Sequence, residues 1–177
     1  ELWQDTDLLI GIGSRCELQY LRWTGMMRAD DRPAGPKLIR IEIDPVELLR
    51  LKPDVGIVAD AADGARALAE AAGKNFSRTA NARERISEAK AAARARVEKI
   101  QPHVAYLDII RAVLPRDGIF VKDICQSGFT SYFAFPVYQP RSYITSGYQG
   151  NLGYAFPTAL GAKVAYPDKP VVAVVGD

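Results

Sequence analysis

Apolar residues fall along this chain in short continuous runs and in helical repeats, and the two kinds of segment alternate. Asp7-Leu8-Leu9-Ile10-Gly11-Ile12-Gly13 is nearly all apolar and ends on glycine, the pattern of a strand buried on both faces. Leu38-Ile39-Arg40-Ile41-Glu42-Ile43 predicts a second strand, with Ile39, Ile41 and Ile43 sharing one face. The residues after it, Asp44-Pro45-Val46-Glu47, predict a helix start: Asp44 as N-cap, Pro45 in the first helical position, Glu47 closing a capping box. Val55 to Ala59 gives a third strand. Asp60 and Asp63 suit the start of the helix that follows, which runs from about Asp63 to a C-terminal cap at Gly73.

From Arg83 to Lys99 the chain is rich in Ala, Arg, Glu and Lys with few large apolar residues. Such a stretch has high helix propensity and a thin apolar face, and it predicts a solvated helix between domains. Pro102 ends it, and the alternation restarts. His103 to Leu114 predicts a helix burying Val104, Leu107, Ile110 or Ile109, and Val113 or Leu114, and Ile119 to Ile124 a strand. Ser142 to Thr145, a helix from about Leu152 to Ala165, and Val171 to Val175 complete the pattern. The expected fold class is α/β: parts of two doubly wound parallel-sheet domains joined by a helical linker. The expected boundaries are 1–80, a linker over 81–102, and 103–177. A strand such as Val171 to Val175 needs neighbours on both sides, so the chain is expected to be a piece of a longer protein.

Composition narrows the chemistry. Of 177 residues, 48% are hydrophobic, and 23 basic residues nearly balance 21 acidic ones, which gives no bulk attraction to nucleic acid. No apolar run approaches the roughly 20 residues of a membrane span. Cys16 and Cys125 provide no disulfide framework and suit a reducing, cytoplasmic setting. With one histidine, His103, the usual zinc patterns are absent. A bound metal is then expected to be a hard cation on oxygen ligands.

Gly11-Ile12-Gly13-Ser14-Arg15 lacks the third glycine of a nucleotide fingerprint, since Cys16 stands there. A tight turn after a strand explains it equally, although Gly13 and Arg15 would lie where α/β sheets hold ligands, and Arg15 suits a phosphate. Asp44 suits a ribose or adenine edge, a role that competes with its cap. The strongest segment runs from Ser146 through Gly147, Gly150, Asn151, Leu152 and Gly153 to Ala162. Leu152, Ala155, Phe156, Ala159 and Leu160 are spaced as a helix core face, and Gly153, Pro157 and Gly161 as a small stripe for close packing. Several glycines before such a helix argue for a ligand against the backbone. Asp177, following a buried strand and Gly176, suits Mg²⁺ holding a diphosphate.

This segment, with Tyr166-Pro-Asp-Lys-Pro-Val-Val-Ala-Val-Val-Gly-Asp177, resembles thiamine diphosphate-dependent enzymes of the acetolactate synthase and benzoylformate decarboxylase group. Asp7 to Arg15 and Ile41 to Glu47 resemble the second half of that group's central domain. The resemblance implies thiamine diphosphate and Mg²⁺ as cofactors, with FAD or ADP open for the central domain through Gly13, Arg15 and Asp44. It implies that Gly150 meets the aminopyrimidine, with Gly147 and Asn151 in the same cofactor turn. Leu152 would prop the bent cofactor, and Asp177 would be the first metal ligand. Asp123-Ile124-Cys125-Gln126-Ser127 resembles the family's Asp-Val-Gly-Gln-His, with Ser127 in place of His. Gln126 and Ser127 are the catalytic candidates, and a plain helix start is their alternative. Phe129, Tyr132, Phe133 and Phe135 are expected in the core rather than around a substrate, and His103 is expected to be structural. The implied substrate is a small 2-oxo acid, decarboxylated or ligated, in a homodimer or homotetramer with no nucleic-acid or membrane partner. A catalytically inactive nucleotide-binding or assembly fragment is the alternative.

Overall fold

A computed structural model describes residues 6–16, 36–73, 80–147 and 149–176. The chain divides into two units, Glu1–Ile86 and Ser87–Asp177. In the first, β1 (Leu8–Ile12), β2 (Lys37–Glu42) and β3 (Val55–Val58) form a parallel sheet in the order β1-β2-β3. Leu38 and Ile41, on opposite faces of the central strand, are wholly buried. Helix α1 is the single turn Glu47–Arg50, and α2 spans Ala61–Gly73. Asp60 starts α2: its carboxylate accepts the N–H groups of Ala62 at 2.8 Å and Asp63 at 3.4 Å.

The start predicted at Asp44 shifts. The Asp44 carboxylate accepts the Val46 N–H at 2.9 Å, so Pro45 and Val46 form a turn and the helix begins at Glu47. No capping box closes, because the Glu47 carboxylate turns toward Arg50 at 3.3 Å and Arg15 at 3.6 Å. Arg40, which the apolar pattern left unexplained, is buried and donates to the carbonyls of Glu47 at 2.6 Å and Ser14 at 3.1 Å. It ties the chain after β1 to α1.

Helix α3 (Ala82–Val97) buries no residue, as its composition predicts. Near its end Arg94 pairs with Glu98 at 3.0 Å and with Asp108 at 2.6 Å. The hydrogen bonds to Asp108 and Glu98 raise its pKa above the ordinary arginine value.

The second unit contains α4 (His103–Val113), β4 (Ile119–Lys122), α5 (Gln126–Ala134), β5 (Tyr143–Thr145), α6 (Ala155–Ala165) and β6 (Val171–Val174). Its sheet is parallel in the order β5-β4-β6. Every residue of β4 is buried. On one face Phe120 packs with Val104 and Leu107 of α4, Ala134 of α5 and Phe135; on the other, Ile119 and Val121 pack with Ala155. Helices therefore cover both faces, as a buried parallel strand requires.

Two expectations about α6 are corrected. The helix begins at Ala155 rather than Leu152, because Gly153 takes a left-handed φ of +72° and interrupts it. Its core side is Ala155, Ala159 and Ala162, whereas Leu152, Phe156 and Leu160 are exposed. Small residues let the helix approach β4 closely, and that leaves the bulky ones outward. Gly161 has nothing within 4 Å of an added Cβ, so the small stripe makes no close contact there. Among the described residues no helix is long and apolar enough to cross a membrane.

Candidate functional site

In a parallel sheet all carboxyl ends lie on one edge, and ligands of α/β folds bind there. In the second unit that edge carries the segments after Lys122, Thr145 and Val174. Asp123 organises it. Its N–H donates to the Val174 carbonyl at 2.9 Å. Its carboxylate accepts the N–H groups of Ile124 at 2.8 Å and Ala155 at 3.3 Å. One buried residue thus joins β4 and β6 through its backbone and the start of α6 through its carboxylate, which satisfies a helix-end donor that would otherwise be orphaned.

Helix α5 starts hard against this edge. Cys125 is its N-cap and accepts the Gly128 N–H at 3.3 Å through sulfur. A Cβ on Gly128 would overlap the Asp123 carbonyl oxygen, so only glycine fits. Gln126 is exposed at the first position and Ser127 is half-buried beside it. His103 reaches Ser127 from α4, with Nδ1 3.1 Å from Oγ.

The turn from Ser146 to Tyr154 lies between β5 and α6. Gly147, Gly150 and Gly153 have φ of +60°, +62° and +72°, a region costly for residues with a Cβ. Among the described residues an added Cβ would meet nothing within 4 Å at Gly147 and Gly153, and only the Ile124 side chain at 3.8 Å at Gly150. Toward those residues the backbones are open on the side where a side chain would stand. The Ser146 hydroxyl oxygen is buried with no hydrogen-bond partner among the described residues. Asn151 is exposed and Leu152 is 78% exposed, a bulky apolar side chain held out of the core. An open glycine cradle, an orphaned hydroxyl and a projecting Leu152 fit a ligand with polar and aromatic parts laid against the turn.

Ile124 and Cys125 bring the parts together. Gly150 faces the Ile124 side chain. A Cβ on Gly176 would stand 3.3 Å from the Cys125 side chain and 3.5 Å from the Ile124 carbonyl oxygen, so the chain after β6 lies against the same two residues. Gln126, Ser127, Gly147, Gly150, Asn151 and Leu152 thus share one edge. Asp177 lies outside the described residues, and among the described residues no group of three His, Cys, Asp or Glu side chains suits a metal.

In the first unit, Gly13 (φ +57°) donates its N–H to the Ile41 carbonyl at 2.9 Å. Arg15 is paired with Glu47, and Asp44 holds Val46. All three occupy the carboxyl edge of their sheet, engaged with protein groups.

Spacing alone does not disclose two further residues. Lys122 is fully buried, with Nζ 4.0 Å from the Tyr132 ring centroid and 5.4 Å from that of Phe129. Its only sequence signal is a cation ending the apolar run Ile119-Phe120-Val121. His103 lies 24 residues from Ser127, and only the fold unites them. Among the aromatic residues, Phe135 is buried as expected, whereas Phe129, Tyr132 and Phe133 are exposed. Tyr143 bonds Ser131 at 2.7 Å, and burial pushes its phenol pKa up.

Residues 123–177 match the family described as thiamine pyrophosphate enzyme, C-terminal TPP binding domain. The whole chain is 31% identical to a Pseudomonas aeruginosa protein described as "Probable 2-ketoarginine decarboxylase", of which it spans 31%. Over 98% of its length it is 32% identical to the acetolactate synthase large subunit of Corynebacterium glutamicum, spanning 28% of that protein. The chain therefore spans about 30% of the length of these curated relatives. A Rhodococcus jostii thiamine diphosphate-dependent 4-hydroxybenzoylformate decarboxylase shares the fold, with a TM-score of 0.58 and 21% identity over 82% of this chain and 27% of that one.

Proposed function

We propose, since the chain belongs to the thiamine diphosphate-dependent enzymes, that it helps bind thiamine diphosphate for an enzyme acting on 2-oxo acids, by decarboxylation, by carboligation, or by both. The observation that carries this reading is the glycine turn 146–153, whose left-handed glycines leave backbone groups open on the carboxyl edge of a parallel sheet.

When bound, the cofactor supplies the nucleophilic carbon that adds to a 2-oxo group and the sink for the electrons left as CO₂ departs. The chain's part is binding and orientation. Gly147 and Gly150 present backbone to the cofactor with no side chain in the way, and Leu152 offers an apolar wedge that holds its shape. Asp123 fixes the α6 end of the turn. Gln126 and Ser127 open α5 on the same edge, where N–H groups and hydroxyls suit phosphate or carboxylate oxygens. Asp177 is assigned to Mg²⁺ that neutralises the diphosphate. Such chemistry would be favoured by little water at the site, and the exposed Phe129, Tyr132 and Phe133 supply apolar surface on α5.

The reading includes a homodimer or homotetramer. Phe156, Leu160 and Val164 project from one side of α6, more apolar surface than a lone helix face usually leaves to water.

The experiment is CO₂ release by the intact protein from pyruvate, benzoylformate and a guanidino-substituted 2-oxo acid, with and without thiamine diphosphate and Mg²⁺. The expected result is release from at least one of them that requires both additions. No release from any 2-oxo acid in the saturated protein contradicts the proposal.

A further inference from the structure

Lys122 presents a problem of chemistry. The residue is 0% exposed and Nζ has no hydrogen-bond acceptor among the described residues. Two aromatic faces, Tyr132 and Phe129, stand in for water. A desolvated ammonium favours any arrangement that brings negative charge beside it.

The group placed to supply that charge is Tyr132. Its Oη is 3.1 Å from the Thr145 hydroxyl. Thr145 is the strand partner of Lys122 across β4 and β5, and its hydroxyl oxygen also accepts the Gly147 N–H at 3.4 Å. A series of contacts therefore runs from the buried cation through a phenol and a hydroxyl to the backbone of the glycine turn. A threonine hydroxyl has one proton and two lone pairs. With Gly147 on one lone pair, Thr145 either accepts the Tyr132 proton or gives its own to a Tyr132 phenolate. The second arrangement is charge-assisted and therefore the stronger hydrogen bond.

We propose that Lys122, Tyr132 and Thr145 form a proton-holding relay that ends on Gly147 and sets the shape of the cofactor turn, with Tyr132 as its titrating member. Tyr132 is a positioning residue: it acts on the turn through Thr145. The inference rests on the reading of that turn as the thiamine diphosphate site. When Tyr132 ionises, its proton passes to solvent, to which the half-exposed ring is open. The resulting phenolate faces the Lys122 ammonium and accepts a hydrogen bond from the Thr145 hydroxyl, which keeps its proton.

The surroundings agree. Partial burial pushes the Tyr132 phenol up, but the adjoining Lys122 and the Thr145 hydrogen bond outweigh it and hold the phenol below its ordinary value of 10.0. From β4 the facing charge is Lys122, and from β5 the neighbour is Tyr143, with ring centroids 6.3 Å apart. Helix α5 itself carries no charged residue. The charged and titratable groups of α4 are engaged elsewhere: Asp108 with Arg94, Arg111 with the Leu114, Pro115 and Pro136 carbonyls, His103 with Ser127. The fourth titratable side chain of α4, Tyr106, stands edge-on to His103.

The test uses the intact protein labelled with ¹³Cζ-tyrosine, titrated by NMR, with thiamine diphosphate affinity measured in parallel across pH. One tyrosine signal is expected to titrate ahead of the rest and to vanish in Tyr132→Phe. In Lys122→Met its midpoint should move to higher pH, at about tenfold lower proton concentration. Thr145→Val keeps the strand residue's shape and serves if Lys122→Met fails to fold; it should weaken cofactor binding about fivefold. In the wild type affinity should rise as pH passes upward through the Tyr132 midpoint, and that dependence should be lost in Tyr132→Phe. A Tyr132 signal that titrates with the other tyrosines, or a pH dependence unchanged in Tyr132→Phe, overturns the relay. Absence of any cofactor binding beside an early-titrating Tyr132 overturns instead the assignment of the turn, so the two failures are distinct.

Discussion

Asp123 and Leu152 show how differently two residues of one site are read from a sequence. The resemblance singles out Leu152, and the structure holds it 78% exposed, where a large apolar side chain has no folding role. Asp123 begins a recognised motif, yet its work is local: two backbone N–H groups accepted by one buried carboxylate. That work is invisible in sequence because Ala155 is 32 residues away. The two residues should therefore separate in measurement. Asp123→Ala leaves a buried donor unpaired and should lower unfolding stability in urea by about 1–3 kcal/mol. Leu152→Ala should change stability by less than about 0.5 kcal/mol and should weaken cofactor binding. The reverse pattern would contradict both assignments. Lys122 belongs at this scale too: a single buried cation gives no periodicity, and its role is legible only from the rings around it.

At the scale of elements the sequence was informative about kind and uncertain about face. Strands β1, β3, β4 and β6 follow from continuous apolar runs and β2 from alternating ones, and parallel pairing follows from the helices between them. Helix α6 was legible as a helix, but both faces carry apolar residues at helical spacing, so periodicity does not decide which packs inward. The sheet decides, because Ile119 and Val121 accept Ala155 and its small neighbours at close range. Ala159→Leu should accordingly destabilise the protein by about 1–3 kcal/mol through overpacking. Phe156→Ser, on the exposed side, should cost less than about 0.5 kcal/mol in the monomer and should weaken any self-association seen by sedimentation. Equal losses from the two would place the core on the wrong side of α6. The helix start at Asp44 failed for a related reason: Glu47, needed for a capping box, is drawn to Arg15 and Arg50 from outside the motif.

For the whole molecule, the second unit holds the described site in one place, because a parallel sheet gathers the segments after β4, β5 and β6 on one edge. The sequence conveyed that arrangement well, since glycine-rich turns after strands carry their own signal. Gly13, Arg15 and Asp44, the residues expected toward a nucleotide, lie on the corresponding edge of the first unit's sheet, where each also holds a protein group. The proposed role of the glycine turn is to hold thiamine diphosphate. Equilibrium binding of thiamine diphosphate in Mg²⁺ to the intact protein, wild type beside Gly150→Val, tests it most directly. At φ +62° a valine is both strained and projected into the open side of the turn. Saturable binding of one cofactor per chain is expected in the wild type, and about 5- to 30-fold weaker binding in the variant, as a strain of about 1–2 kcal/mol implies. Equal binding by the two proteins, or no saturable binding by the wild type, would contradict it.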